Sequence, residues 1–152
     1  MKNSDSFFIF IPNEHNKMSF EEIIASLNQK KYAPVYFLMG DEPYFADRIC
    51  EFIEDRVLQD QEKAFNQTIL YGKDVDAAQV TNYARRYPMM SEYQVVIIRE
   101  AQNIKNIDDL VYYVSNPLKT TLLVLNYKYK KLDKRKKLYK EIEKNGVLFE
   151  SK

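Results

Sequence analysis

The sequence predicts an α/β domain in which a parallel sheet of about five strands is covered by helices on both faces. Three observations carry this. Short apolar runs recur at Val35–Met39, Val95–Ile98, Thr120–Leu125 and Val147–Phe149, and strands that are apolar on both sides are those buried on both faces of a parallel sheet. Segments with apolar residues at helical spacing lie between these runs, so strand and helix alternate along the chain. Finally, the stretch 35–45 runs from a strand through Gly40-Asp41-Glu42-Pro43 into a helix, which is how an open α/β nucleotide fold begins.

The 152 residues are 45% hydrophobic and 14% aromatic, enough for one well-filled domain rather than two. Residues 1–18 read as an N-terminal extension of unknown role. Within it Phe7-Phe8-Ile9-Phe10-Ile11 fits an edge strand, a tail or an apolar graft. From residue 19 the pattern is regular to the end at 152. Ser19-Phe20-Glu21-Glu22 is a capping box before Phe20, Ile23, Ile24 and Leu27, so a helix starts there. After the first strand, Phe45, Ile49, Phe52, Ile53 and Val57 predict a helix from about Pro43 to Leu58. Phe65 to Tyr71, ending at Gly72, predicts the second strand. Asp74 or Asp76 can cap a helix carrying Ala77, Val80 and Ala84, and Pro88 ends it. Val95–Ile98, wholly β-branched, reads as the central strand. Ile107, Leu110, Val111 and Val114 define a further helix that Pro117 stops. Thr120–Leu125 is the fourth strand. Asp133 then caps a strongly basic helix with Leu138 and Ile142 inward, Asn145-Gly146 closes it, and Val147–Phe149 is the fifth strand.

Several residue patterns bear on function. A phosphate loop G-x-x-x-x-G-K-[ST] starting at Gly40 would require Gly, Lys and Ser or Thr where this chain has Phe45, Ala46 and Asp47. Asp41, Glu42 and Asp47 set carboxylates where phosphate oxygens would sit at the positive end of the helix. After the third strand Arg99 replaces the Asp that an ATPase uses to hold magnesium, and the same loss argues against a phosphorylated receiver domain. Asn126, after the fourth strand, occupies the place of a polar nucleotide sensor, but an Asn there is most often a turn former. Met89 and Met90 lie in a polar connection, either as core filler or as an exposed, adaptable contact; composition favours core filler. Charge is uneven. Residues 128–140 hold eight Lys or Arg and one Asp, a local +7, against a net −6 over the rest. In that segment Lys130, Lys131, Lys134, Arg135, Lys136 and Lys137 are candidate DNA contacts, set against the plainer reading of a solvated helix face. The lone Cys50 excludes a disulfide framework and reads as a core residue in a protein of a reducing compartment. His15 has no ligand cluster at metal spacing. No apolar run approaches the roughly 20 residues of a membrane span, which predicts a cytoplasmic protein without membrane contact.

Val35-Tyr36-Phe37-Leu38-Met39-Gly40-Asp41-Glu42-Pro43-Tyr44, then Arg99-Glu100-Ala101, then Lys131-Leu132-Asp133-Lys134-Arg135 with Tyr139-Lys140 together resemble the delta subunit of the bacterial DNA polymerase III clamp loader, over about Ser19 to Ser151. The resemblance implies an AAA+-like domain over 19–152, related to P-loop NTPases but without a functional phosphate loop, cofactor or active site of its own. Such a domain binds the sliding clamp and helps open it. In that family an apolar pair in the loop before the central strand forms the clamp-binding wedge; Met89 and Met90 fall on it, in place of a Leu-Phe-like pair. This implication favours exposure of the two methionines. The family's lid and collar domains, the collar joining the other clamp-loader subunits, have no counterpart here, which implies a truncated chain. A degenerate P-loop ATPase is the alternative in a different class.

Overall fold

A computed structural model describes residues 17–151; the apolar run at 7–11 and His15 lie outside them. The chain folds in the order α1 (Phe20–Asn28), β1 (Val35–Gly40), α2 (Tyr44–Arg56), α3 (Asp60–Asn66), β2 (Gln67–Tyr71), α4 (Ala77–Ala84), β3 (Gln94–Arg99), α5 (Val111–Val114), β4 (Thr121–Lys128), α6 (Lys137–Asn145) and β5 (Val147–Ser151). All five strands pair in parallel, in the order β2-β3-β4-β1-β5. The strands alternate their side chains between two cores, which is why they read as unbroken apolar runs. Phe37, Met39, Val96, Ile98, Leu123 and Leu125 meet α4, α5 and α6 on one face. Tyr36, Leu38, Val95, Ile97, Leu122 and Val124 meet α1 and α2 on the other. Cys50 belongs to this second core, and burial pushes its thiol up to about 12.

The caps explain where several helices start. Ser19 Oγ accepts from Glu22 N at 3.1 Å while Glu22 accepts from Ser19 N at 2.8 Å, and Asp76, rather than Asp74, caps α4 through Gln79 N at 2.8 Å. Elsewhere the fold departs from the sequence reading. Residues Asp60–Asn66 form α3, a helix that the sequence pattern does not predict and that takes in Phe65 and Asn66, so the strand expected from Phe65 begins at Gln67. The middle strand is β4, with β3 one position from the centre. The helix expected over 107–114 opens as a 3-10 turn, Ile107–Leu110, and only then becomes α5.

Asp133 does not cap the basic helix. Its carboxylate accepts from Arg135 N at 2.9 Å and from the Arg135 guanidinium at 2.8 and 3.1 Å, closing a turn, and α6 begins only at Lys137. The bonds from Arg135 hold the Asp133 carboxyl down at about 2. The basic run is therefore mainly the loop between β4 and α6.

Lys17 and Met18 lie beside β5, with Met18 N donating to Leu148 O at 3.1 Å. Glu150, on β5, accepts from Lys131 at 2.9 Å and from Lys17 at 3.3 Å. The hydrogen bond from Lys131, then that from Lys17, outweigh burial and hold the Glu150 carboxyl below its ordinary 4.5. A depressed carboxylate stabilises the fold above its unfolded pKa and loses that contribution as pH falls through the folded value. Glu150→Gln is expected to cost about 1 kcal/mol at pH 7, since the lysines are partly solvated. The difference from the parent in urea melts should shrink steadily below about pH 4.5 and vanish once both carboxyl states are protonated.

Candidate functional site

Two edges of the sheet are candidate sites. In open parallel sheets, ligands sit in the crevice outside the carboxyl ends of the strands. Here that crevice is occupied by the protein's own groups. Lys128 Nζ lies 3.2 Å from Asp47 Oδ1 and 3.3 Å from Glu100 Oε2. Burial works against the Lys128 charge, but the bonds to Asp47 and Glu100 outweigh it and raise its pKa above the ordinary lysine value. Asn126 Nδ2 donates to Asp47 Oδ1 at 2.9 Å, and Gln102 accepts from Lys128 N at 2.9 Å. Glu100 itself is held in the left-handed region, φ 53°. Arg99 pairs with Glu54 at 2.9 Å. Gly40 has φ +124°, and a Cβ there would overlap both the side chain and the backbone of Ser151. Ser151 Oγ in turn accepts from Glu42 N at 3.1 Å, so the end of β5 packs against the turn that follows β1.

The opposite edge carries the loop from α4 to β3. Its Met89 is 60% exposed and Met90 fully exposed, so neither is core filler. The loop backbone is nevertheless tied down. Asn66, 3% exposed at the end of α3, accepts from Met89 N at 2.7 Å and donates to Met89 O at 2.9 Å. Gln94, buried at the start of β3, shares its amide hydrogens among the carbonyls of Tyr83, Ala84 and Arg86 and the Thr121 hydroxyl. Ser91 Oγ donates to Tyr93 O at 2.9 Å, and the Tyr93 ring packs edge-on against Tyr32 at 5.0 Å. Met90 adopts φ 54°, a left-handed conformation uncommon for a residue other than Gly. The result is an apolar pair standing in solvent on a fixed base.

Asn66, Gln94 and Lys128 were not singled out in the sequence. Asn66 offered no pattern of its own, though the Gln59-x-x-Glu62 spacing, with Glu62 accepting from Gln59 N at 2.9 Å, marks the start of α3. Gln94 is a polar residue abutting an apolar strand, which is a usable signal.

Of the candidate DNA contacts, Lys131 is paired with Glu150, Arg135 with Asp133, and Lys136 with Asp108 at 2.8 Å. Lys130, Lys134 and Lys137 are exposed and have no ion pair among the described residues. The structure brings these six cations along one loop and the first turn of α6, and half of their charge is met by carboxylates from the same or neighbouring elements.

Comparison with known proteins gives this architecture a family. Residues 36–152 match the family model for the DNA polymerase III delta subunit. The chain belongs to that family. This delta-family chain is 29% identical over 141 residues to the DNA polymerase III subunit delta of Bacillus subtilis, covering 86% of its own length and 41% of the relative's. Its fold superposes on the solved Bacillus subtilis DNA clamp loader delta protein with a TM-score of 0.75 at 26% identity, over 87% of this chain and 42% of that one. A gamma subunit-related protein of DNA polymerase III from Thermotoga maritima shares the fold alone, at 9% identity and a TM-score of 0.57. The delta-family chain thus spans less than half the length of these relatives. No helix among its described residues is long and apolar enough to cross a membrane.

Proposed function

We propose that this chain is the clamp-binding domain of a delta-type clamp-loader subunit in DNA replication, and that Met89 and Met90 are the apolar wedge that docks on the sliding clamp of DNA polymerase III. The observation that carries the reading is the exposed methionine pair on a loop held by two buried amides, Asn66 at Met89 and Gln94 at the upstream end. Contiguous apolar groups exposed on a folded domain mark an interaction surface. The chain acts by binding, in the cytoplasm, without cofactor or catalytic residues; contact with other clamp-loader subunits belongs to parts of the family that this chain does not span. Calorimetric titration with the cognate clamp is expected to show saturable binding. Heat indistinguishable from dilution at the highest clamp concentration would overturn the proposal.

The Lys128 ammonium between Asp47 and Glu100 supports a domain that does not use ATP, since a cation already neutralises the carboxylates that a magnesium ion would need. A fluorescent ATP analogue with magnesium is expected to give no saturable signal; saturable, magnesium-dependent binding would favour the degenerate ATPase instead.

Direct DNA contact by the basic loop is proposed only as a weak accessory. With Lys130, Lys134 and Lys137 available, log K against log salt should have a slope no steeper than about −3. A steeper slope would mean that Lys131, Arg135 and Lys136 exchange their carboxylates for phosphates. Complete absence of binding at low salt would remove the contact.

A further inference from the structure

Asn66 is a buried polar side chain that no helix or sheet requires. Its amide spans the loop partner completely, accepting from Met89 N at 2.7 Å and donating to Met89 O at 2.9 Å, while its second amide hydrogen bond runs back to Glu62 O in α3 at 3.0 Å. The two residues are 23 apart in sequence, so this is a tertiary tie and not a local turn. It fixes the peptide planes on both sides of the Met89 Cα. The adjoining Met90 is held at φ 54°, a backbone state that a free loop would abandon for the ordinary β or α regions. Gln94 anchors the loop only upstream, at residues 83–86, so nothing except Asn66 bonds to the backbone at the methionine pair itself among the described hydrogen bonds.

We propose that Asn66 is the positioning residue of the methionine pair: it holds the loop in the one conformation in which Met89 and Met90 project together toward the clamp. This rests on the clamp-binding reading given above. Without the tie the loop samples other conformations, and the apparent affinity falls in proportion to the fraction still competent. Asn66 is buried, so its effect passes through the loop that it bonds to.

The test is a double-mutant cycle read by clamp titration, with amide hydrogen exchange of Met89 in the free chain as a second measurement. Asn66→Ala should abolish protection of the Met89 amide and weaken clamp binding about tenfold. In a background with both Met89 and Met90 changed to Ser the same change should weaken binding by less than threefold, because the pair it positions is gone; a merely structural role would lower affinity equally in both backgrounds. Asn66→Leu, close in shape to Asn but with neither donor nor acceptor, should match Asn66→Ala and covers the case in which the cavity left by Ala makes that variant fold poorly. If Asn66→Ala loses Met89 protection yet binds clamp within twofold of the parent, the positioning role is overturned while the wedge stands. If the variant with both methionines changed to Ser binds clamp like the parent, the wedge reading fails, and the positioning proposal with it.

Discussion

Replacing Met89 and Met90 together with Ser is expected to weaken clamp binding at least about 100-fold, with little change in the melting temperature. Each exposed methionine covered by a partner contributes roughly 1.5–3 kcal/mol, and about 1.4 kcal/mol is a factor of ten in affinity. The small effect on folding follows from exposure. Side chains 60% and 100% exposed contribute almost nothing to either core, and surface substitutions generally stay within about 0.5 kcal/mol. The loop keeps its shape in the variant because Asn66 and Gln94 bind its backbone, not its side chains. Calorimetric titration alongside thermal melts checks both halves. A variant that melts early yet binds clamp normally would mean that the methionines serve the fold and the partner surface lies elsewhere.

The second large effect is expected to be its mirror image. Gly40→Ala should destabilise the domain by about 3 kcal/mol, from the strained backbone region that φ +124° imposes and from overlap with Ser151. Gly40 ends β1, which lies between β4 and β5, so the shift needed to relieve the overlap pulls on two ladders at once. Urea denaturation would measure it. Clamp affinity of the folded fraction should stay unchanged, since Gly40 and the methionine loop lie at opposite ends of the strands. A stability loss below about 0.5 kcal/mol would mean that β5 moves aside freely, and that its end is no fixed filling of the crevice.

The strands were legible in the sequence because burial on both faces leaves no polar alternation to confuse them, as at Val95–Ile98 and Leu122–Leu125. Helix α3 was not, because Asp60–Asn66 has only Ala64 and Phe65 as apolar residues and Phe65 is exposed, so no apolar stripe marks it. The start of α6 was misplaced because Asp133 is a good capping residue whose carboxylate Arg135 takes first. At the site, composition pointed to buried methionines and the family resemblance to exposed ones. The structure agrees with the latter for a reason no local pattern contains: the amides that hold the loop lie at Asn66 and Gln94, in other elements. The pairing of the basic run was equally out of reach, since Asp108 and Glu150 meet it only in the folded chain.

The sliding clamp is expected to meet the α4–β3 loop. Fully exposed Met90 can carry a photo-crosslinking side chain without disturbing the core. Exposed Tyr129, after β4 at the opposite edge of the sheet, is the control. Irradiation with the cognate sliding clamp is predicted to join clamp to position 90 efficiently and to position 129 hardly at all. Crosslinking from position 129 with none from position 90 would contradict the account.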